Sequence, residues 1–155
     1  EVSSYMPAPD IKPLIENLDY FRRNTFKSFP NSRWGSGRDA FCFRRVKTHL
    51  DSFKNACISQ GKQLLESDSW EALIEYVLHA WGVIDEMPIW DNPSHNKSNE
   101  MCYRTLAGQC KKAVKAARLD REKWEDILDR IKESLETNED LKPCIDMVEK
   151  KIQKC

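Results

Sequence analysis

The sequence is poor in the patterns that build β-sheets and membrane spans. Only five of its 155 residues are glycine, and no segment shows the sustained alternation of apolar and polar residues that indicates a half-buried strand. The longest apolar runs fall far short of the roughly 20 residues that a membrane span needs. These absences exclude a transmembrane helix and favour a helical fold.

The signatures of catalysis and metal binding are also missing. The sequence contains three histidines, and it has no HExxH or GxSxG motif, no P-loop and no dinucleotide-binding glycine pattern. Its cysteines lack the close CxxC spacing that is typical of zinc sites and redox motifs. We therefore expect a non-enzymatic protein with no cofactor and no metal.

Amphipathic helices are what the sequence does contain, and residues 64–90 predict the clearest one. Asp68 is a good N-cap, and Glu71 three residues later completes a capping-box pattern. Apolar residues then recur at helical spacing until Pro88, which cannot continue a helix. Upstream, the second helix carries a similar apolar seam, which we expect to be interrupted near Gly61.

Two further helix starts are predicted from capping residues. Ser98 is suited to cap a fourth helix, and Asp120 to cap a fifth. Leu119 and Trp124 have the spacing of a hydrophobic staple around the second of these caps.

Together these patterns predict an all-α fold. We expect one domain over residues 1–155, an antiparallel bundle of five to six helices, with a flexible lead at 1–9 and main loops at 30–37 and 88–97. The predicted core consists of Leu18, Phe21, Leu50, Phe53, Trp70, Leu73, Val77, Trp81, Ile127 and Ile131.

Charge is balanced overall but unevenly distributed along the chain. Residues 1–62 carry eleven Lys and Arg against six Asp and Glu, residues 63–100 carry one against eight, and residues 101–155 carry thirteen against eleven. The simpler interpretation is that the acidic central helix attracts its basic neighbours within the bundle. The alternative is that a basic partner docks on the central segment.

Six cysteines raise the question of disulfide bonds. Two fall on each of three predicted helices, and the closest pair on one helix is about 12 Å apart at ~1.5 Å rise per residue, too far for a bridge. Any disulfide must therefore join different helices, and the sequence does not choose among the connectivities. The candidates are Cys42, Cys57, Cys102, Cys110, Cys144 and Cys155.

The cysteines, together with three other features of the sequence, also indicate the cellular compartment. Their even number, the missing initiator Met, a cysteine at the last position and a glycosylation sequon at Asn96 favour a secreted, disulfide-stabilised protein. The alternative is a set of reduced, buried thiols in a protein of the nucleus or cytoplasm.

The leading functional hypothesis is a non-catalytic binding protein that engages a protein partner through helix faces and the 88–97 loop. A basic patch on the first two helices could contact phosphates, but its neighbouring aromatics fall on the buried stripe, which argues against nucleic acid. The predicted partner-binding residues are Ile89, Trp90, Asp91 and His95 in the loop, with Arg22, Arg23, Arg44 and Arg45 as a second patch.

Two other hypotheses remain open at this point. One is an intracellular helical protein-interaction module excised from a larger scaffold. The other is a carrier that holds a small apolar ligand between helices, in a pocket lined by Trp34, Phe53 and Trp81.

Overall fold

The computed structural model of the chain is built from helices. It describes residues 11–28, 38–85, 93–135 and 139–155, with side chains described for 11–23, 48, 50–85, 97–134 and 139–155. The elements are α1 (Lys12–Ser28), α2 (Arg38–Glu66), α3 (Trp70–Asp85), α4 (Pro93–Ala116), α5 (Arg121–Leu135), a short 3-10 turn (Glu139–Leu141) and α6 (Lys142–Lys154). The predicted all-α bundle of five to six helices is confirmed.

Helix α3 is the centre of the bundle. It packs against α1, α2, α4 and α5, and its sequence is the most apolar of the six because it is covered on most sides. Helices α2 and α3 are joined by a short turn and form a hairpin. The contacts of α4 advance in step along α2, from Lys54 to Ile58, and along α6, from Cys144 to Lys151, so α4 runs parallel to both. None of the described helices is both long and apolar enough to cross a membrane.

The predicted core residues lie in the core. Seven of them are buried, and Phe21, Phe53 and Trp70 are partly buried and packed against the others. Phe21 of α1 and Phe53 of α2 stack with ring centroids 3.8 Å apart and planes 8° apart. This stack joins α1 to α2, while Leu18 is buried in the main core.

The turn between α2 and α3 is closed by backbone hydrogen bonds. The Ser69 amide donates to the Leu64 carbonyl at 3.0 Å, and the Asp68 amide donates to the Leu65 carbonyl at 3.2 Å. This is the Schellman pattern, and Asp68 adopts the left-handed conformation that it requires, with φ 56°. The predicted capping box is therefore wrong: Asp68 ends α2, and Glu71 pairs with a lysine of α5 instead.

Helix α2 continues through Gly61 to Glu66, and Gly61 takes a position where the apolar seam of the helix has no side chain. Helices α2 and α4 approach closely here: a Cβ at position 61 would overlap the side-chain oxygen of Gln109, which would have to shift. Gln109 reaches into this contact and donates from Nε2 to the Ile58 carbonyl at 3.0 Å.

The two other predicted caps had different outcomes. Asp120 accepts a hydrogen bond from the Lys123 amide at 2.9 Å, which confirms it as the cap of α5. Helix α4 begins at Pro93, not at Ser98. The hydroxyl of Ser98 instead takes part in a polar cluster between α2 and α4, described below. The predicted lead at 1–9 and the loop at 30–37 lie outside the described residues, as do residues 88–92 of the other loop.

Candidate protein-binding surface

Helix α4 packs one face into the bundle and leaves the other face exposed. It contacts α2, α3 and α6. Small residues dominate its inner face, which lets these neighbours approach closely. The buried side chains of this segment are Cys102, Leu106, Ala107, Gln109, Cys110, Ala113, Val114 and Ala117.

The outer face of α4 carries a line of cations. Arg104, Lys111 and Lys115 are exposed on α4 at spacings of seven and four residues, which place them on one side of the helix axis. Arg118, also exposed, follows two residues after the end of the helix. We call these four residues the basic row; its helical part, from Arg104 to Lys115, is about 17 Å long at 1.5 Å rise per residue. Within the described part of the chain none of the four has an ion-pair partner.

The basic row ends in a groove of about 470 Å³ where α4, α5 and α6 meet. Lys151 of α6 crosses this groove and donates to the carbonyls of Lys115 and Ala117, at 3.1 and 3.0 Å. Its Nζ also lies 5.8 Å from the ring centroid of Trp124. Lys151 thus satisfies carbonyls at the carboxyl end of α4, whereas Lys115 and Arg118 keep their charges directed to solvent.

A buried lysine fixes α4 against α2 near the other end of the row. Lys54 is only 2% exposed. Its Nζ donates to Ser98 Oγ at 2.9 Å and to Asn99 Oδ1 at 2.7 Å, and lies 3.2 Å from Asp51 Oδ1. Because a buried ammonium requires a counter-ion and hydrogen-bond acceptors, this cluster sets the register of α4 on α2.

The acidic face of α3 is paired with α5. Lys123 Nζ lies 3.1 Å from Glu71 Oε1, and Arg130 lies 2.7 Å from Glu75. The hydrogen bond to Glu71 raises the pKa of Lys123. His79 Nε2 is 4.0 Å from the same Glu75. These contacts support the interpretation that the acidic central helix attracts basic neighbours of its own bundle.

Two thiols and a phenol of the core are held in their neutral forms. Burial raises the pKa of Cys57 to about 12 and that of Cys102 to about 11. Burial, with a hydrogen bond donated to Asp85 at 2.5 Å, also raises the pKa of Tyr103. Such groups are poor nucleophiles at neutral pH. Among the described residues no cluster of His, Cys, Asp or Glu could hold a metal ion.

Part of the predicted partner-binding set lies outside what the structure describes. Arg22 of α1 pairs with Asp19 at 3.5 Å, and Arg23 is exposed on the same helix. Arg44 and Arg45 lie in α2 and His95 lies in α4, but the side chains of all three are outside the described set. Ile89, Trp90 and Asp91 are outside the described residues altogether. The role of these residues stays a prediction.

The proposed ligand pocket is described only in part. Trp81 is fully buried and contacts the ring of Tyr103, with centroids 4.5 Å apart. Phe53 is engaged in its stack with Phe21, and Trp34 lies outside the described residues. Neither Trp81 nor Phe53 lines the groove at the end of the basic row, and the ligand hypothesis stays a prediction.

The cysteines are thiols in the described part of the chain. Cys57, Cys102, Cys110 and Cys144 are free and buried, and Cys155 is free and exposed. Cys110 and Cys144 meet across α4 and α6, where their mutual hydrogen bond keeps the pKa of Cys110 well above its usual value. The predicted disulfide bonds are not supported at these five positions. The side chains of Cys42 and of Asn96, the predicted glycosylation site, are not among those described.

The fold and surface define a helical bundle with an exposed basic face, and the residues that the structure describes include no prepared reactive centre. Comparison with protein families agrees with this class. The chain belongs to the Cut8 family, described as "Cut8, nuclear proteasome tether protein", whose model matches residues 1–153. A tether is a non-enzymatic binding protein, which agrees with the predicted class of function. The predicted secreted location is contradicted, because this family is described as nuclear.

A curated relative is similar over much of the chain. It is the "Tethering factor for nuclear proteasome cut8" of Schizosaccharomyces pombe (strain 972 / ATCC 24843), 26% identical over 110 residues. The match covers 70% of this chain and 41% of the relative, so the chain spans about two fifths of the length of that protein. No solved structure matches the chain.

Proposed function

We propose that this chain is a nuclear, non-catalytic tether that binds the proteasome through exposed helix faces. The observation that carries the proposal is membership of the Cut8 family over residues 1–153. The proposed function corresponds to the second hypothesis from the sequence, an intracellular helical protein-interaction module.

The arrangement of the bundle supports a binding role. Burial keeps the thiols of Cys57 and Cys102 protonated at neutral pH, and Glu71 and Glu75 of α3 are engaged by α5. The four cations of the basic row have no ion-pair partner within the described bundle. A protein whose charged groups stay available on one rigid face is suited to hold another protein.

A localisation experiment tests this proposal. The chain, fused to a fluorescent protein and a nuclear import signal, would be expressed in S. pombe cells depleted of their own tethering factor. Proteasomes would be followed through a second fluorescent tag on one subunit. We expect the chain to increase the nuclear share of the proteasome signal, because a nuclear tether retains what it binds.

The control is the same fusion with the bundle unfolded by Trp81→Asp, since a carboxylate at a fully buried position is destabilising. The fused chain must be nuclear for the test to be valid, and the import signal ensures this. A nuclear chain that leaves the distribution of proteasomes unchanged would contradict the proposed function.

A further inference from the structure

We infer that the outer face of α4 is a docking surface for an acidic protein segment, which lies along the basic row and approaches the helix backbone at Gly108. The inference rests on the proposed function, in that it names the chemistry of the partner that a tether would hold. Its support comes from charge and packing on α4 itself.

The first observation is that the basic row is not explained by the bundle. The sequence has no acidic residue between positions 100 and 120, and the four cations make no ion pair within the described chain. The helix dipole accounts for the cations at the carboxyl end of α4, Lys115 in its last turn and Arg118 just beyond it. It does not account for Arg104 and Lys111, which lie further back along the helix.

Helix α5 arranges its charges differently from α4. Its 15 residues include four cations and five acids in alternation. Arg121 pairs with Glu125 of the same helix at 2.9 Å, and Arg130 reaches Glu75 of α3 at 2.7 Å. Helix α4 lacks this alternation, so its positive field is not cancelled and is available to an acidic partner.

The second observation is an exposed glycine within the row. Gly108 lies between Arg104 and Lys111 on the same side of α4, and a Cβ built there meets no described atom within 4 Å. Glycine inside a helix costs about 1 kcal/mol relative to alanine, and no contact within the described bundle requires it here. A bare stretch of backbone flanked by cations permits close approach of another chain.

A protein segment fits this surface better than a lipid bilayer does. The row is one helix wide, and its recess at Gly108 is the size of a single residue. Among the described residues only Tyr20 and Met101 are large, apolar and exposed, and Tyr20 is on a different helix. The face therefore lacks the group of apolar side chains that anchors a helix in a membrane interface.

Fluorescence anisotropy with a labelled Glu-rich peptide tests the inference. The peptide needs about eight residues, because an extended chain rises about 3.3 Å per residue and must span the ~17 Å from Arg104 to Lys115 and reach Arg118 beyond it. We expect binding that weakens with added salt. Lys111→Glu should weaken it about threefold to tenfold, because an attraction becomes a repulsion. Lys132→Glu, an equal change in charge on exposed α5, should change it less than about twofold.

Substitution of Gly108 should have opposite effects on the stability of the bundle and on its affinity for the peptide. Gly108→Ala should make the bundle more stable yet bind the peptide at least about threefold more weakly, because the methyl holds the segment away from the backbone. Gly82→Ala on α3 is the matched control: its Cβ also meets no described atom, so it should raise stability and leave binding unchanged.

Three results would overturn the inference. One is a wild-type chain that does not bind the peptide, and another is equal loss of affinity in Lys111→Glu and Lys132→Glu. The third is a wild-type chain that binds phosphatidylserine vesicles through Lys111 and ignores the peptide, which would assign the row to a membrane. None of these involves proteasomes, so each leaves the proposed function to its own localisation test.

Discussion

The close approach of α2 and α4 determines whether Gly61→Ala stabilises or destabilises the protein. In an open helix, Gly61→Ala would stabilise the protein by about 1 kcal/mol. Here the new methyl meets Gln109 Oε1, so Gln109 must move and its bond to the Ile58 carbonyl, worth about 1 kcal/mol, is lost. Strain in the packed contact adds about 1–3 kcal/mol. We therefore expect a net destabilisation of about 1–3 kcal/mol.

Urea unfolding followed by circular dichroism measures this difference. Heating provides a second readout, with an expected fall in Tm of about 2–4 °C for each kcal/mol. Gly82→Ala, which has room for its methyl, should instead gain about 1 kcal/mol. The double variant Gly61→Ala with Gln109→Ala should recover much of the loss, because the methyl then enters vacated space. A Gly61→Ala variant as stable as Gly82→Ala would refute the reasoning.

Three other predictions concern the turn and the thiols. Asp68→Gly should raise the free energy of unfolding by about 0.5–1 kcal/mol in urea, because glycine adopts φ 56° without the penalty of a Cβ; a lower value would contradict the Schellman turn. In the native protein without reductant, iodoacetamide should modify exposed Cys155 while Cys57 and Cys102 react only after unfolding, as read by mass spectrometry; a disulfide at any of them would be contrary. The folded state keeps the protons of Cys57 and Cys102, because burial raises the pKa values of both thiols above the ordinary value of 9.0. Stability should therefore be full below about pH 9 and fall by about 1.4 kcal/mol per pH unit per thiol as pH rises toward 11; a flat profile in urea titrations over that range would disagree.

The helices and core were predictable because they depend on a periodic pattern that the whole length of an element repeats. The stripe through Leu73, Val77 and Trp81 specifies a buried face whatever its neighbours are. The helix ends were less predictable, since one residue can serve two kinds of end. Asp68 is equally suited to begin a helix or to adopt the left-handed conformation that ends one, and only the path of the chain decides.

The candidate surface could be predicted only in part. The periodicity of α4 places Arg104, Lys111 and Lys115 on its outer face, but it does not show whether acids from other helices reach them. The buried position of Lys54 could not be predicted, because its hydrogen-bond acceptors Ser98 and Asn99 lie more than forty residues away in sequence. The secreted location was wrong since buried thiols such as Cys57 behave as small apolar residues, and their even number carried no information about oxidation.

The central claim is that the folded bundle holds the proteasome through its surface. The most direct measurement is binding of the purified chain to purified proteasomes on a biosensor, in the presence of reductant. The account predicts saturable binding that Lys111→Glu weakens and Lys132→Glu does not. A folded chain that shows no saturable binding at micromolar concentrations would contradict the claim.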